Sequence, residues 1–193
     1  MKNINQKLAR ATVGIAGAGG LGSNAAACLV RSGIGKIIIA DFDIVEHSNL
    51  NRQFYFADQI GQAKVDAIEE NLLRIREDVE IDAFQVRIDS ENAPDIFQGI
   101  DILLECLDSA EAKAMLVGTA LAKMNNIYVI SASGMAGFGR SNEIVTRKIS
   151  ERLILVGDLA SDMNNMPMTA ARVAIAASHQ ANACVEILMD ILR

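Results

Sequence analysis

Tryptophan is missing from this 193-residue sequence, and phenylalanine and tyrosine make up only 4% of it. A protein that stacks nucleic-acid bases needs exposed aromatic rings, so that function has little material here. Positive charge is also in deficit. Eighteen Lys and Arg against 24 Asp and Glu leave a net charge of −6, which argues against nucleic acid as a partner. Cysteine occurs three times (Cys28, Cys106, Cys184), widely spaced and never as Cys-x-x-Cys. Such a set builds neither a zinc ribbon nor a disulfide framework, so no structural zinc is expected and the chain reads as reduced and cytoplasmic. Apolar runs stay below the ~18 residues of a membrane span, so no membrane partner is expected. Val13 to Val30, ending near Ala-Ala-Ala-Cys, is too rich in Gly and Ala for a secretory h-region.

Hydrophobic residues supply 51% of the chain, enough for a sizeable core. With no internal repeat and no linker, residues 1–193 read as one domain. Thr12–Ala16 and Lys36–Ala40 have the pattern of buried strands, with a helix between them on Leu21, Ala25 and Leu29. Val65, Ile68, Leu72 and Ile75 mark a second helix within 61–77. Strands follow over 79–88 and 101–106, then a helix over 109–125 and a strand at 127–131. This alternation predicts an α/β fold: a Rossmann-like, mostly parallel sheet with helices on both faces. Near the C-terminus, 142–149 and 152–156 are separated by two residues, which predicts added antiparallel strands. A Met- and Asn-rich loop at 163–168 precedes a final helix from about Thr169, nearly all apolar over 173–177 and so expected in the core or at a subunit interface.

Gly17-Ala18-Gly19-Gly20-Leu21-Gly22 satisfies Gly-x-Gly-x-x-Gly where the first strand turns into the first helix. Glycines there let backbone approach a phosphate, while free N–H groups and the helix dipole attract its charge. Asp41 stands 19 residues past Gly22 at the end of the second strand, placed to accept from ribose hydroxyls. Taken alone, this pair says only that an adenine nucleotide binds, and an NAD-dependent oxidoreductase is the usual reading of it.

The segment from Asp41 to Gln53 adds Asp43, Ser48, Asn49, Asn51 and Arg52, a dense polar patch beyond the sheet edge. Lys64 follows in the first turn of the second helix, where the dipole disfavours a cation unless an anion lies nearby. Arg52 and Lys64 together suit a polyphosphate, the first by bidentate contact and the second as a point charge. Both are expected to be exposed and marginal to the core. Asp108 at the end of the fourth strand has two possible roles: a Mg²⁺ ligand or the N-cap of the following helix. His47 and His179 have no ligand constellation around them, and the three cysteines read as core residues.

These blocks together resemble the ThiF/MoeB/HesA family, the bacterial relatives of ubiquitin-activating enzymes. The match runs through Gly-x-Gly-Gly-Leu-Gly-Ser, Asp-x-Asp-x-Val-Glu-x-Ser-Asn-Leu-Asn-Arg-Gln, Gly-x-x-Lys and Cys-x-Asp, over about two thirds of the chain. Gly139 to Asn142, Thr146 to Lys148, Gly157-Asp158 and Ala171 to Ala174 are similar to a short ThiF-like subgroup linked to thiamine biosynthesis. The resemblance implies a homodimeric adenylyltransferase that uses ATP and Mg²⁺ on the C-terminal glycine of a ubiquitin-like sulfur carrier (ThiS-like, ending Gly-Gly). It assigns catalysis to Arg52, Lys64 and Asp108, with Asp108 as metal ligand. Nucleotide binding falls to Gly17, Gly19, Gly20, Gly22, Asp41, Asp43, Ser48, Asn49, Asn51, Arg52, Gln53, Lys64 and Ser109.

Three departures accompany it. The family's paired Cys-x-x-Cys motifs are missing, Ser109 stands where Asn is usual, and no cysteine occupies a position for thioester or persulfide chemistry. In longer relatives an N-terminal arginine reaches the partner's ATP, and Arg10 lies too near the first strand for that. A non-catalytic protein that binds nucleotide or carrier is therefore the second alternative beside the oxidoreductase.

Overall fold

A computed structural model describes residues 2–162 and 165–191. Seven strands form one sheet in the order β3-β2-β1-β4-β5-β7-β6. They are β1 (Thr12–Ala16), β2 (Lys36–Ala40), β3 (Glu80–Phe84), β4 (Ile102–Glu105), β5 (Tyr128–Ala132), β6 (Val145–Lys148) and β7 (Leu153–Gly157). All neighbours run parallel except β6, which pairs antiparallel with β7. The expected architecture is therefore present, and the C-terminal hairpin extends the sheet by β7 joining β5 in parallel.

Helices cover both faces. On one side α1 (Lys2–Leu8), α2 (Gly20–Ser32), α3 (Lys64–Leu73) and α6 (Ala170–Ile191) enclose a core that includes Ile15, Leu29, Ile68, Cys184 and Leu188. On the other, α4 (Ala93–Ile96) and α5 (Ala110–Lys123) pack Phe97 and Leu116 against Ile38 and Leu103. Parallel strands buried on both faces read as continuous apolar runs, which is why Lys36–Ala40 was legible as a strand. None of the described helices is long and apolar enough to cross a membrane.

Differences from the sequence pattern have local causes. β3 is shorter than 79–88, because its one neighbour β2 ends at Ala40, opposite Phe84. The helices α1 and α4 have seven and four residues, too few for a periodic signal. The first two residues of the Met- and Asn-rich loop, Met163 and Asn164, lie outside the described residues. In α6, Val173, Ala176 and Ala177 are buried while Ala174 is exposed.

A buried ion pair ties the C-terminal third together. Arg172 on α6 reaches Asp158 at 2.5 Å, with both side chains under a tenth exposed, and donates to the Gly139 carbonyl at 2.6 Å. Asp158 also accepts the N–H groups of Ala160 and Ser161 at 2.9 and 2.8 Å. Burial pushes the Asp158 carboxyl up, but those N–H groups and the guanidinium outweigh it and hold it below its usual range. A lowered carboxyl contributes stability that is present at neutral pH and lost as pH falls through the folded-state value. Asp158→Asn is accordingly expected to cost about 3 kcal/mol at pH 7. Urea denaturation of parent and variant as pH falls below the ordinary carboxyl range should show that difference closing.

Candidate active site

The Gly17–Gly22 turn joins β1 to α2 at the carboxyl edge of the sheet, and contact requires its glycines at 17 and 22. A Cβ on Gly22 would lie 1.8 Å from the Gly17 carbonyl oxygen, and one on Gly17, whose φ is +97°, would lie 2.7 Å from that of Cys106. Backbone thus packs on backbone, with no room for a side chain. Gly19 caps α2 without any side-chain bond, so the first-turn N–H groups remain open to an anion.

Asp41, 8% exposed, accepts the Ala18 N–H at 2.6 Å and the Asp43 N–H at 2.8 Å. Its carboxylate is thereby fixed beside the glycine turn, where an acceptor for ribose hydroxyls belongs. Asp43 meets Lys64 at 2.8 Å, and together with Ile44, Glu46 and Asn49 they line a hollow of about 130 Å³. A larger hollow, about 430 Å³, lies by Tyr128 and Ile154 at the amino ends of β5 and β7, away from every residue of the glycine turn. Both are lined by charged groups, and the smaller one is joined to the glycine turn through Asp43 and Asp41.

The 47–53 loop mixes outward and inward polar groups. Ser48 is exposed and donates to Glu46, whereas Asn49 is buried and accepts the Glu46 N–H. Arg52 is held lightly, donating to the Ser48 carbonyl at 3.2 Å and to Asn51 at 2.8 Å. Gln53 lies against Gly19, and its Oε1 is buried with no hydrogen-bond partner among the described residues. An orphaned acceptor next to an open helix N-terminus fits a bound nucleotide that supplies the missing donor.

The turn after β4 rests on Gly17 through the Cys106 carbonyl, which brings Asp108 to the same edge. Asp108 is exposed and makes no hydrogen bond or ion pair among the described residues. Ser109 caps α5 by accepting the Ala112 N–H at 3.1 Å, which settles the capping role in its favour. No group of three or more His, Cys, Asp or Glu that could hold a metal ion occurs among the described residues. A lone free carboxylate fits Mg²⁺, which takes one or two carboxylates together with phosphate oxygens.

Several holding residues escaped the sequence pattern. Asn24 donates to the carbonyls of Gly20 and Arg52 at 2.6 and 2.9 Å, clipping the loop to α2. The Ser23 hydroxyl takes the Phe54 N–H, and Tyr55 donates to the Ala18 carbonyl at 2.6 Å. Gln59 and Asn71 bond each other through both amides. Polar residues in a segment full of polar residues give no signal of which ones face inward. Cys106 and Cys184 are buried, and burial pushes both thiols up, away from the reactive thiolate form. His179 meets Thr146 at 3.0 Å, and His47 is exposed.

Lys64 corrects one expectation. It is 6% exposed rather than solvated, because the Asp43 carboxylate and the chain entering α3 enclose it. Lys64→Ala is therefore expected to cost about 1–2 kcal/mol, whereas Arg52→Ala should change stability by under about 0.5 kcal/mol. Thermal unfolding of the two variants side by side checks this.

Known proteins share the sequence and fold of this chain. Ubiquitin-like modifier-activating enzyme 5 of Caenorhabditis briggsae is 38% identical over 131 residues, covering 62% of this chain and 30% of that protein. Adenylyltransferase and sulfurtransferase UBA4 of Saccharomyces cerevisiae is 35% identical over 135 residues, covering 69% and 30%. The chain thus spans about a third of the length of these relatives. Among solved structures, the E. coli tRNA N6-threonylcarbamoyladenosine dehydratase TcdA in complex with AMP superposes with a TM-score of 0.88 at 21% identity, covering 99% of this chain and 91% of that one. At that identity the likeness shows the fold. The ThiF family model matches residues 2–191, nearly the whole described structure, and the chain belongs to the ThiF family.

Proposed function

We propose that this protein is an ATP-dependent adenylyltransferase that activates the C-terminal glycine of a small ubiquitin-like sulfur carrier in thiamine biosynthesis. A homodimer is the assembly that the family resemblance implies. One observation carries the reading: an open helix N-terminus, two cations and a free carboxylate stand at one sheet edge, each able to meet a different part of a nucleoside triphosphate. The relatives named as modifier-activating enzymes and as an adenylyltransferase support it.

The reaction is attack by a carboxylate oxygen on the α-phosphorus, with pyrophosphate leaving. The carboxylate is already ionised at neutral pH, so the protein need supply neither nucleophile nor general base. Its task is positioning and charge stabilisation. The first-turn N–H groups of α2 and the small glycines would cradle phosphate, and Asp41 would take the ribose. Arg52, loosely held by two neutral oxygens, can turn to the phosphates. Lys64 would exchange part of its contact with Asp43 for the charge that develops at phosphorus. Asp108 would hold Mg²⁺, which when bound would neutralise phosphate charge.

Arg52 and Lys64 favour this over nicotinamide chemistry, which does not need a pair of cations at the turn. The net charge of −6 weighs against RNA as the substrate. The test is pyrophosphate release with ATP, Mg²⁺ and candidate carriers ending in Gly-Gly. Micromolar NAD binding without ATP binding would overturn the proposal. Because Ser109 caps α5, Asp108→Asn should keep its melting temperature and lose about a hundredfold in Mg²⁺-dependent pyrophosphate release.

A further inference from the structure

Behind Asp108 lies a charged group that the proposed reaction does not use. Glu105, the last residue of β4, is fully buried. Its Oε1 accepts the Leu107 N–H at 2.7 Å, and its Oε2 accepts the Ser131 hydroxyl of β5 at 2.6 Å. Lys113 on α5 donates to both oxygens at 3.1 Å. The Glu105 carbonyl takes an amide hydrogen of Gln180 on α6 at 3.1 Å. A buried carboxylate is expensive to desolvate, and a well-packed apolar residue usually stabilises a core as well or better. Joining α5 to the sheet would not by itself require a charge.

The geometry points to a positioning role. The carboxylate grips the backbone N–H of Leu107, one residue before Asp108, while the Cys106 N–H is bound to the Ala16 carbonyl at 2.9 Å. Ser109 fixes the far side by capping α5. Asp108 therefore projects from a turn whose backbone is held on both sides, though its own side chain has no partner among the described residues. We propose that Glu105, set by Lys113 and Ser131, positions Asp108 to meet the divalent cation of a bound metal–nucleotide complex. The proposal rests on the reading of Asp108 as the metal ligand.

Mn²⁺ serves as the probe, because electron paramagnetic resonance reads its free and bound forms directly in the presence of ATP. Outer partners of a metal ligand typically matter by 10–100-fold in affinity, so Glu105→Gln should weaken Mn²⁺ binding to the protein–ATP complex by about tenfold. ATP affinity without metal should stay at the parent value. Ser131→Ala removes one bond and no charge, so it should weaken Mn²⁺ in the same direction by a smaller factor, and it decides the matter if Glu105→Gln does not fold. A purely structural Glu105 would lower the melting temperature of folded variants and leave Mn²⁺ affinity unchanged, which overturns the proposal. Asp108→Asn separates the two readings. If it weakens Mn²⁺ while the Glu105 and Ser131 variants do not, only the positioning role falls. If it too binds Mn²⁺ like the parent, the metal role of Asp108 falls and the positioning role with it.

Discussion

Close backbone packing at residues 17–22 is the constraint on which the rest of the site is built. The Gly17 carbonyl fills the place where Gly22 would carry a side chain, and the Cys106 carbonyl does the same for Gly17. Once that contact is made, the turn offers a set of backbone groups at fixed positions, and the end of β2 and the 52–55 loop attach to it and to the first turn of α2. Asp41 from the end of β2 takes the Ala18 N–H, and Tyr55 gives its hydroxyl hydrogen to the Ala18 carbonyl. Ser23 and Asn24, one turn into α2, bond back to Gly19 and Gly20 and out to Phe54 and Arg52. A bulkier residue at Gly17 or Gly22 would displace all of these attachments together.

Energetic roles divide along the same lines. Burial of the apolar strands and of α2 and α6 supplies the driving force for folding, being proportional to area and indifferent to direction. It cannot by itself orient a carboxylate to within an ångström. Direction comes from the hydrogen bonds at the carboxyl edge, each worth only about 1 kcal/mol net but costly to leave unmade once buried. Tyr55 illustrates this: burial pushes its phenol up, so it stays a neutral donor to the Ala18 carbonyl. Two of the ion pairs are used unequally. Arg172 and Asp158 are enclosed and fix a loop, while Lys64 is enclosed but its partner Asp43 is half-exposed, so that pair can open toward a ligand.

Much of this was legible in the sequence, for physical reasons that particular residues show. Continuous apolar runs such as Ile37-Ile38-Ile39 are what a strand buried on both faces demands, and Gly17 to Gly22 at the end of one is what a phosphate turn demands. Side-chain direction was not legible. Ser48 and Asn49 are adjacent and both polar, yet one faces solvent and the other is a buried bracket. A lysine that opens a helix reads as a surface cation, and only the fold brings Asp43 alongside Lys64. Asp108 and Ser109 could each cap α5, and the choice rests on which backbone angle places an oxygen near the Ala112 N–H.

The same accounting of partners separates residues that hold the site from residues left for a ligand. Asn24, Tyr55, Gln59 and Asn71 spend their hydrogen bonds on backbone carbonyls and on one another, so their substitution acts through the shape of the loop. Asp41 stands between the two classes, because two accepted N–H bonds still leave lone pairs on its carboxylate. At this edge the groups left over among the described residues include the first-turn N–H groups of α2, the lightly held Arg52, Gln53 Oε1 and Asp108. Their signs are not uniform. Donors and Arg52 lie at the glycine turn, while the free carboxylate belongs to the β4 turn that packs against Gly17. A single anion would be repelled by Asp108, and a single cation by Arg52 and Lys64. A metal-bound polyphosphate, the ligand of the proposed function, would satisfy both sides at once, a complementarity that the glycine motif alone does not supply.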